Sequence, residues 1–233
     1  PNRPMWGTMD FDDQSGRLWI AGSNRNSSYY LLSSNNAGTS LTPTWDIVRS
    51  FNLGGSVHFY LGVSGAANPQ GLHGQVYVAT DKSSGPTKGH VYYLDSIYRN
   101  ASNPCDIMWT RSTDEGVTWD AVRRFTDDPE NSGKYHWFGT IAVAPSGRVD
   151  VIWYDTRESS ANNFCRMFLS SSWDGGTTWG PQAPITPEFN SHAGWPVQQK
   201  LGDYISMISH NDAIHIAYAA TFTGGQDVYY MKR

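Results

Sequence analysis

Ser112-Thr113-Asp114-Glu115-Gly116-Val117-Thr118-Trp119 and Ser172-Trp173-Asp174-Gly175-Gly176-Thr177-Thr178-Trp179 share the pattern S-x-D-x-G-x-T-W and lie 60 residues apart. Each follows a strand-like run, CDIMWTR (105–111) or CRMFLSS (165–171), and Cys105 and Cys165 keep the same offset. A matched pair of this length marks a repeated structural unit. The chemistry within each copy is local. Asp accepts hydrogen bonds from backbone N–H groups across a tight turn. Gly takes the positive φ that closes it. Trp buries apolar surface beneath it, and Ser adds a short-range hydrogen bond. Ser112, Asp114, Gly116, Trp119, Ser172, Asp174, Gly176 and Trp179 are therefore read as structural, at the turns between third and fourth strands.

Around these loops the chain reads as short alternating strands separated by Gly, Asn, Asp and Pro, with no convincing helical period. Four groups of strands emerge, roughly 7–55, 74–130, 135–190 and 200–233, and the last is one strand short. Four-stranded antiparallel sheets repeated radially make an all-β propeller of about four blades, read as a single domain over 1–233. The missing outer strand must come from elsewhere, because an open edge invites aggregation. Either residues 1–6 supply it and close the ring, or further blades or another chain complete a larger propeller.

Composition narrows the function classes. The chain has 233 residues with a net charge of −4, so no basic stripe favours nucleic acid. No apolar run approaches the ~18 residues of a membrane span. Ten Trp and an aromatic content of 14% suit sugar stacking, but a β core uses the same residues. Cys105 and Cys165 occupy equivalent places in neighbouring repeats and are expected as two free or buried thiols. Asn26-Ser27-Ser28 and Asn100-Ala101-Ser102 fit the N-glycosylation pattern, which is common by chance. No signal peptide is visible, and the start at Pro1 leaves room for an upstream segment. Motifs for serine hydrolases, zinc sites and phosphate loops are absent from the sequence. No cofactor is expected. Asp127, Asp128 and Glu130 form one loop cluster whose oxygens suit a structural Ca²⁺, against a solvated turn.

The paired loops resemble the Asp-box of the sialidase-like (BNR-repeat) β-propellers. A degenerate third copy runs Ser34-Asn35-Asn36-Ala37-Gly38-Thr39-Ser40-Leu41. The likeness is strongest from Gly74 to Arg233, where GQVYVATDKSSGP, WFGTIAVAPSGRVDVIWYDTR, KLGDY and YAATFTGGQDVYY resemble exo-α-sialidase-like sequences. It implies six blades, of which this chain would form the C-terminal part, with Asp-boxes on the rim away from the active face. It further implies a glycan or glycoconjugate partner and a secreted, periplasmic or extracellular setting.

Candidate site residues lie on loops that enter inner strands or leave second strands, where function concentrates on a rigid scaffold. The segments are 62–74, 135–138, 153–158 and 192–204. Asp155 is a candidate general acid if burial raises its pKa, and Arg157 a candidate clamp for a sugar carboxylate. The alternative is a salt bridge or a capped turn. Sialidases use a Tyr nucleophile with a Glu partner, which makes Tyr204 and Glu158 catalytic candidates by type. His136, Trp137, Trp195 and Lys200 are candidate substrate contacts. Asp81, Lys82 and Ser83 occupy the analogous place in the second blade and read as a turn.

Two features depart from the family. The Arg-Ile-Pro motif is absent, Asn2-Arg3-Pro4 being the nearest string. Only four Glu are present: Glu115, Glu130, Glu158 and Glu188. A complete catalytic set is not readable, so two functions stand: a sialidase-like glycoside hydrolase acting on terminal anionic sugars, or a non-catalytic propeller that binds glycans or proteins.

Overall fold

The computed structural model describes residues 4–24, 28–57 and 65–233. Four antiparallel sheets form the four blades of a β-propeller, and no helix occurs among the described residues. The first blade is β1 (Met9–Asp12), β2 (Arg17–Ser23), β3 (Tyr29–Ser34) and β4 (Ile47–Phe51). The second is β5 (Ser56–Val57), β6 (Tyr77–Thr80), β7 (Val91–Tyr98), β8 (Asp106–Ser112) and β9 (Arg123–Arg124). The third is β10 (His136–Val143), β11 (Val149–Asp155), β12 (Phe164–Ser172) and β13 (Ala183–Pro184), with β14 (Phe189–Asn190) added beside β12. The fourth has three strands, β15 (Ser206–Ser209), β16 (Ile214–Ala220) and β17 (Asp227–Lys232).

Apolar runs bounded by turn residues locate the long strands well, and β7 and β11 are buried on both faces because each lies between neighbouring blades. The expected outer strands at 118–126 and 179–187 shorten to two paired residues each. The inner strand of the second blade is split: β5 and β6 both pair with β7, and described residues 65–76 between them do not pair with it. Residues 58–64 lie outside the described residues, as do residues 1–3, with most of Asn2-Arg3-Pro4, and the glycosylation positions Asn26 and Ser27. Met5 pairs with Ser23 of the first blade in both directions, so described residues 4–6 do not supply the fourth strand of the last blade.

The two repeated loops sit at third-to-fourth strand turns in equivalent places, with the same hydrogen bonds. Asp114 Oδ1 accepts from Thr118 N (2.8 Å) and Ser112 Oγ (2.8 Å), and Oδ2 accepts from Thr118 Oγ1 (2.6 Å). Asp174 repeats all three with Thr178 and Ser172, at 2.9, 2.8 and 2.6 Å. These bonds, led by those from Thr118 and Thr178, hold both carboxyls at about 2. Gly116 and Gly176 have φ of 85° and 81°. A Cβ on Gly116 would come 2.6 Å from the Trp19 ring, and one on Gly176 would come 3.1 Å from Trp109.

That closeness shows a second role. Each loop fastens its blade to the preceding one. Trp119 packs edge-on against Phe51 at 4.8 Å, and Arg49 donates to Val117 O at 3.1 Å. Trp179 packs against Phe125 and Trp109 at 4.8 and 5.5 Å, while Arg111 donates to Gly175 O and Arg123 to Gly176 O. The degenerate copy keeps part of the local pattern. Asn36 Oδ1 accepts from Ser34 Oγ and Thr44 N, but Leu41 is fully exposed and docks on nothing.

Cys105 and Cys165 are buried free thiols in one core cluster, as their equivalent positions predict.

Candidate functional site

Inner strands of all four blades converge on a central cleft of about 400 Å³, lined by Met9, Tyr77, Ile141, Tyr204 and Ile208 among others. The starts of β10 and β15, the end of β11 and residues 65–75 define one face of the propeller. The repeated loops lie on the other. On the first face, two segments singled out separately in the sequence come together. Asn68, fully buried, donates from Nδ2 to Leu72 O (2.7 Å) and Gly202 O (2.9 Å), and its Oδ1 accepts from Leu201 N (2.8 Å). Leu72 N donates to Asp203 Oδ1 (3.1 Å), Gln70 N to Gln199 O (3.0 Å), and Ser191 Oγ to Ala67 O (2.8 Å). Residues 65–75 and 190–203 are thus one cap, held by contacts more than 120 residues apart in sequence.

Tyr204 emerges from this cap at the cleft mouth, where the residue is 61% exposed. Gln75 and Tyr77 line the same cleft, and Tyr77 reaches from the second blade to donate to Ile205 O of the fourth at 2.8 Å. Lys200 pairs with Asp203 at 2.6 Å. Trp195 donates to Ser191 O and packs at a tilt against His192, 4.7 Å between centroids. Toward the other end of the cleft, Asp10 receives Thr80 N, Thr80 Oγ1 and the Lys82 ammonium.

Asp155, Arg157 and His136 also meet, but in a closed charge network between the second and third blades. His136 Nδ1 faces Asp106 Oδ1 at 3.2 Å, and Nε2 faces Asp128 Oδ1 at 3.1 Å and Asp155 Oδ1 at 3.7 Å. Burial opposes the imidazolium, but the Asp106 and Asp128 carboxylates and the field of Asp155 overcome it and lift His136 to about 9. Burial likewise opposes the Asp106 carboxylate, and His136 and Arg124 hold it at about 2. Arg124 bonds Asp106 (2.9 Å) and Asp128 (2.7 Å), and Arg99 bonds Asp106 at 3.0 Å.

His136, Trp137, Asp155, Arg157 and Glu158 do not line the cleft. His136 and Trp137 are both 0% exposed, so neither offers a face to a sugar: the first is enclosed by carboxylates, the second packs on Phe138 and Tyr154. Arg157 spends its fork within the protein, on Asp155 (2.7 Å), Asp127 and Gln182 (3.0 Å), above the Phe168 ring. Each of its three nitrogens already has a protein partner. Asp127, Asp128 and Glu130 each face an arginine, which is what neutralises that loop. Among the described residues, no group of three or more His, Cys, Asp or Glu side chains is placed to hold a metal ion. Glu158 pairs with Arg166 at 3.6 Å on the surface and does not line the cleft.

Asn68, Asp106, Arg124 and Gln75 escape sequence reasoning. No local pattern announces them: Asn68 bonds Leu201 and Gly202, Asp106 faces His136 of the next blade, and Arg124 reaches Asp106 18 residues upstream. One backbone outlier marks where the cap meets the inner strand. Phe138, a buried aromatic residue, has φ of 58° at the bulge in β10, and its N–H donates to His73 O at 2.7 Å. Such conformations persist only where the surroundings over-determine them.

No family model matches the chain, and no curated protein sequence matches it. Solved structures of similar fold do. An α-L-arabinofuranosidase of Fusarium graminearum, in complex with arabinobiose, is 11% identical with a TM-score of 0.59, over 98% of this chain and 62% of that one. An α-L-arabinanase of Penicillium chrysogenum, also with arabinobiose, is 16% identical with a TM-score of 0.58, over 99% and 63%. The NanB sialidase of Streptococcus pneumoniae is 12% identical with a TM-score of 0.50, over 96% and 30%. The chain therefore spans about six-tenths of the two arabinose-directed structures and a smaller share of the sialidase, and at these identities the likeness is one of fold.

Proposed function

We propose that the chain is the glycan-engaging part of a glycoside-hydrolase-type propeller, with the sugar lying over the cleft mouth against Tyr204. The observation that carries this reading is the exposed Tyr204 ring at the mouth of a cleft built by all four inner strands. An aromatic face takes the apolar C–H face of a sugar while polar neighbours take its hydroxyls. Gln75 and the Lys200–Asp203 pair supply such neighbours. The glycan-directed names of the arabinofuranosidase, the arabinanase and the sialidase support it as fold-level analogy. The repeated loops are assigned to the Asp-box class, and a secreted or periplasmic setting suits the proposed substrate.

The finer reading makes Tyr204 the nucleophile of an exo-α-sialidase-like hydrolysis of terminal anionic sugars. It needs a carboxylic acid beside the hydroxyl and an arginine fork for the substrate. The Arg157 fork is occupied, and no Glu lines the cleft among the described residues. These two observations favour the second reading, glycan binding without hydrolysis.

Calorimetric titration with arabinobiose and sialyllactose, beside release of fluorophore from the matching aryl glycosides, separates these readings. Tyr204→Ala should weaken glycan binding at least about tenfold with an unchanged melting temperature. In a hydrolase, Tyr204→Phe keeps binding and loses turnover. In a binding module no variant turns over. Unchanged affinity in Tyr204→Ala would remove the assignment.

A further inference from the structure

The seam between the first and second blades holds a cavity of about 320 Å³, with Trp19 and Val91 among its lining residues. Strand register explains why this seam is open. Leu18 stands opposite Ser34 as Val91 stands opposite Ser112 and Val149 opposite Ser172, so Arg17, His90 and Arg148 are equivalent. At the second seam, His90 and Thr87 press on the Gly175 backbone, where a Cβ would come 2.8 and 2.7 Å from them. Thr87 belongs to the ten-residue turn between β6 and β7 (81–90), whereas the turn between β1 and β2 (13–16) has four residues and supplies no such filler. At the third seam, Arg148 spends both terminal nitrogens on His210 O (2.9 Å) and Asn211 O (3.2 Å).

The open seam keeps unspent charged groups. Arg17 donates from Nε to Asn35 Oδ1 (2.6 Å) and from Nη1 to Glu115 O (3.2 Å), and Nη2 has no hydrogen-bond partner among the described residues. Lys88 reaches Gln14 Oε1 at 3.5 Å. The Glu115 carboxylate lies 3.9 Å from Arg17 Nη1 and is exposed. Asp12 and Asp81 line the cavity too, but Gln14 N, Ser15 Oγ, Ser83 N and Thr87 Oγ1 already occupy their oxygens. What remains is one cationic and one anionic station side by side over an apolar floor.

We infer that this cavity binds an apolar α-amino acid as its zwitterion, with the carboxylate on Arg17 and Lys88, the ammonium on Glu115 and the side chain against Trp19 and Val91. An α-amino acid carries both charges on one carbon, which suits the 3.9 Å separation of Arg17 and Glu115. Hydrogen bonds between ionised partners are the strong kind, and a neutral polyol would forgo them. A simple anion would meet Glu115, and a simple cation would meet Arg17 and Lys88. The volume lies at the small end of the range for ligand sites, as one amino acid requires.

The probe is L-leucine, titrated into the protein and followed by the amide signals of Arg17 and Gly89 and the indole N–H of Trp19. These signals should shift saturably. N-acetyl-L-leucine lacks the ammonium and L-leucinamide lacks the carboxylate, and each should bind at least about tenfold more weakly. The double variant Lys88→Ala/Glu115→Gln changes two exposed positions. It should weaken L-leucine at least about tenfold and leave the melting temperature unchanged. Absence of saturable shifts at these three signals would overturn the inference, and so would equal binding of either leucine derivative. L-arabinose moving the same signals where L-leucine does not would assign the cavity to a polyol and equally overturn it. Tyr204→Ala should leave L-leucine binding unchanged, so the outcome is independent of the glycan reading.

Discussion

The two faces of the propeller are built on opposite principles. On the face of the repeated loops, the Asp174 carboxylate finds all its partners within four residues. On the other face, Asn68 bonds residues 133 and 134 positions away, and His136 is enclosed by acids from the second blade and from its own. The first kind of structure is a property of eight consecutive residues and can be copied from blade to blade. The second exists only once the blades are assembled. It follows that the cap, and not the loops, varies without disturbing the repeat, and that a ligand-binding surface belongs on the cap side.

Removing the centre of the assembled face should produce the largest effect. His136→Leu leaves Asp106, Asp128 and Asp155 around an apolar side chain, and breaking a buried charge network typically costs about 3–5 kcal/mol. Urea unfolding measures it, and a loss below about 1 kcal/mol would contradict the network's structural weight. The same site sets a pH dependence. His136 is raised from 6.5 to about 9 in the folded protein, so its contribution is complete below about 6.5 and is lost as pH rises through about 9. Asp106 is lowered to about 2, so its contribution is complete above about 4 and is lost as pH falls through about 2. Stability from this network should peak between these limits, and His136→Leu should abolish the alkaline decline.

A smaller effect is expected at the cap. Asn68→Ala removes three buried hydrogen bonds and should cost about 2–3 kcal/mol. Hydrogen exchange should quicken at Leu72, Leu201 and Gly202 while β11 and β12 stay protected. Uniform quickening would mean that the cap and the blades open together, which would erase the distinction between the two faces.

The smallest effect should come from the repeated loops. Asp174→Ala should lower the melting temperature by a few degrees and leave glycan affinity per folded molecule unchanged. A drop in affinity without loss of stability would give the loops a binding role.

The same contrast explains what the sequence discloses. Ser112 to Trp119 and Ser172 to Trp179 predict their own turns, and the strand runs around them predict the blades, because short apolar runs bounded by turn residues are local signals. The loops' second function, docking Trp119 on Phe51 and Trp179 on Phe125, is invisible locally because the seats are 50–70 residues upstream. Arg157 illustrates the harder case. Its place after β11 is readable, but Asp127 and Gln182, which occupy its fork, lie 30 and 25 residues away. Likewise Tyr204 stands at an inner-strand start by sequence, whereas the cap that frames it depends on Asn68 reaching across the propeller.

Hydrogen exchange with and without a bound oligosaccharide, arabinobiose or sialyllactose, tests the division of labour most directly. The account predicts new protection at residues 65–75 and 199–206, around Tyr204 and the cleft mouth, with residues 112–119 and 172–179 unchanged. Protection confined to the two repeated loops, with the cap unaffected, would contradict it.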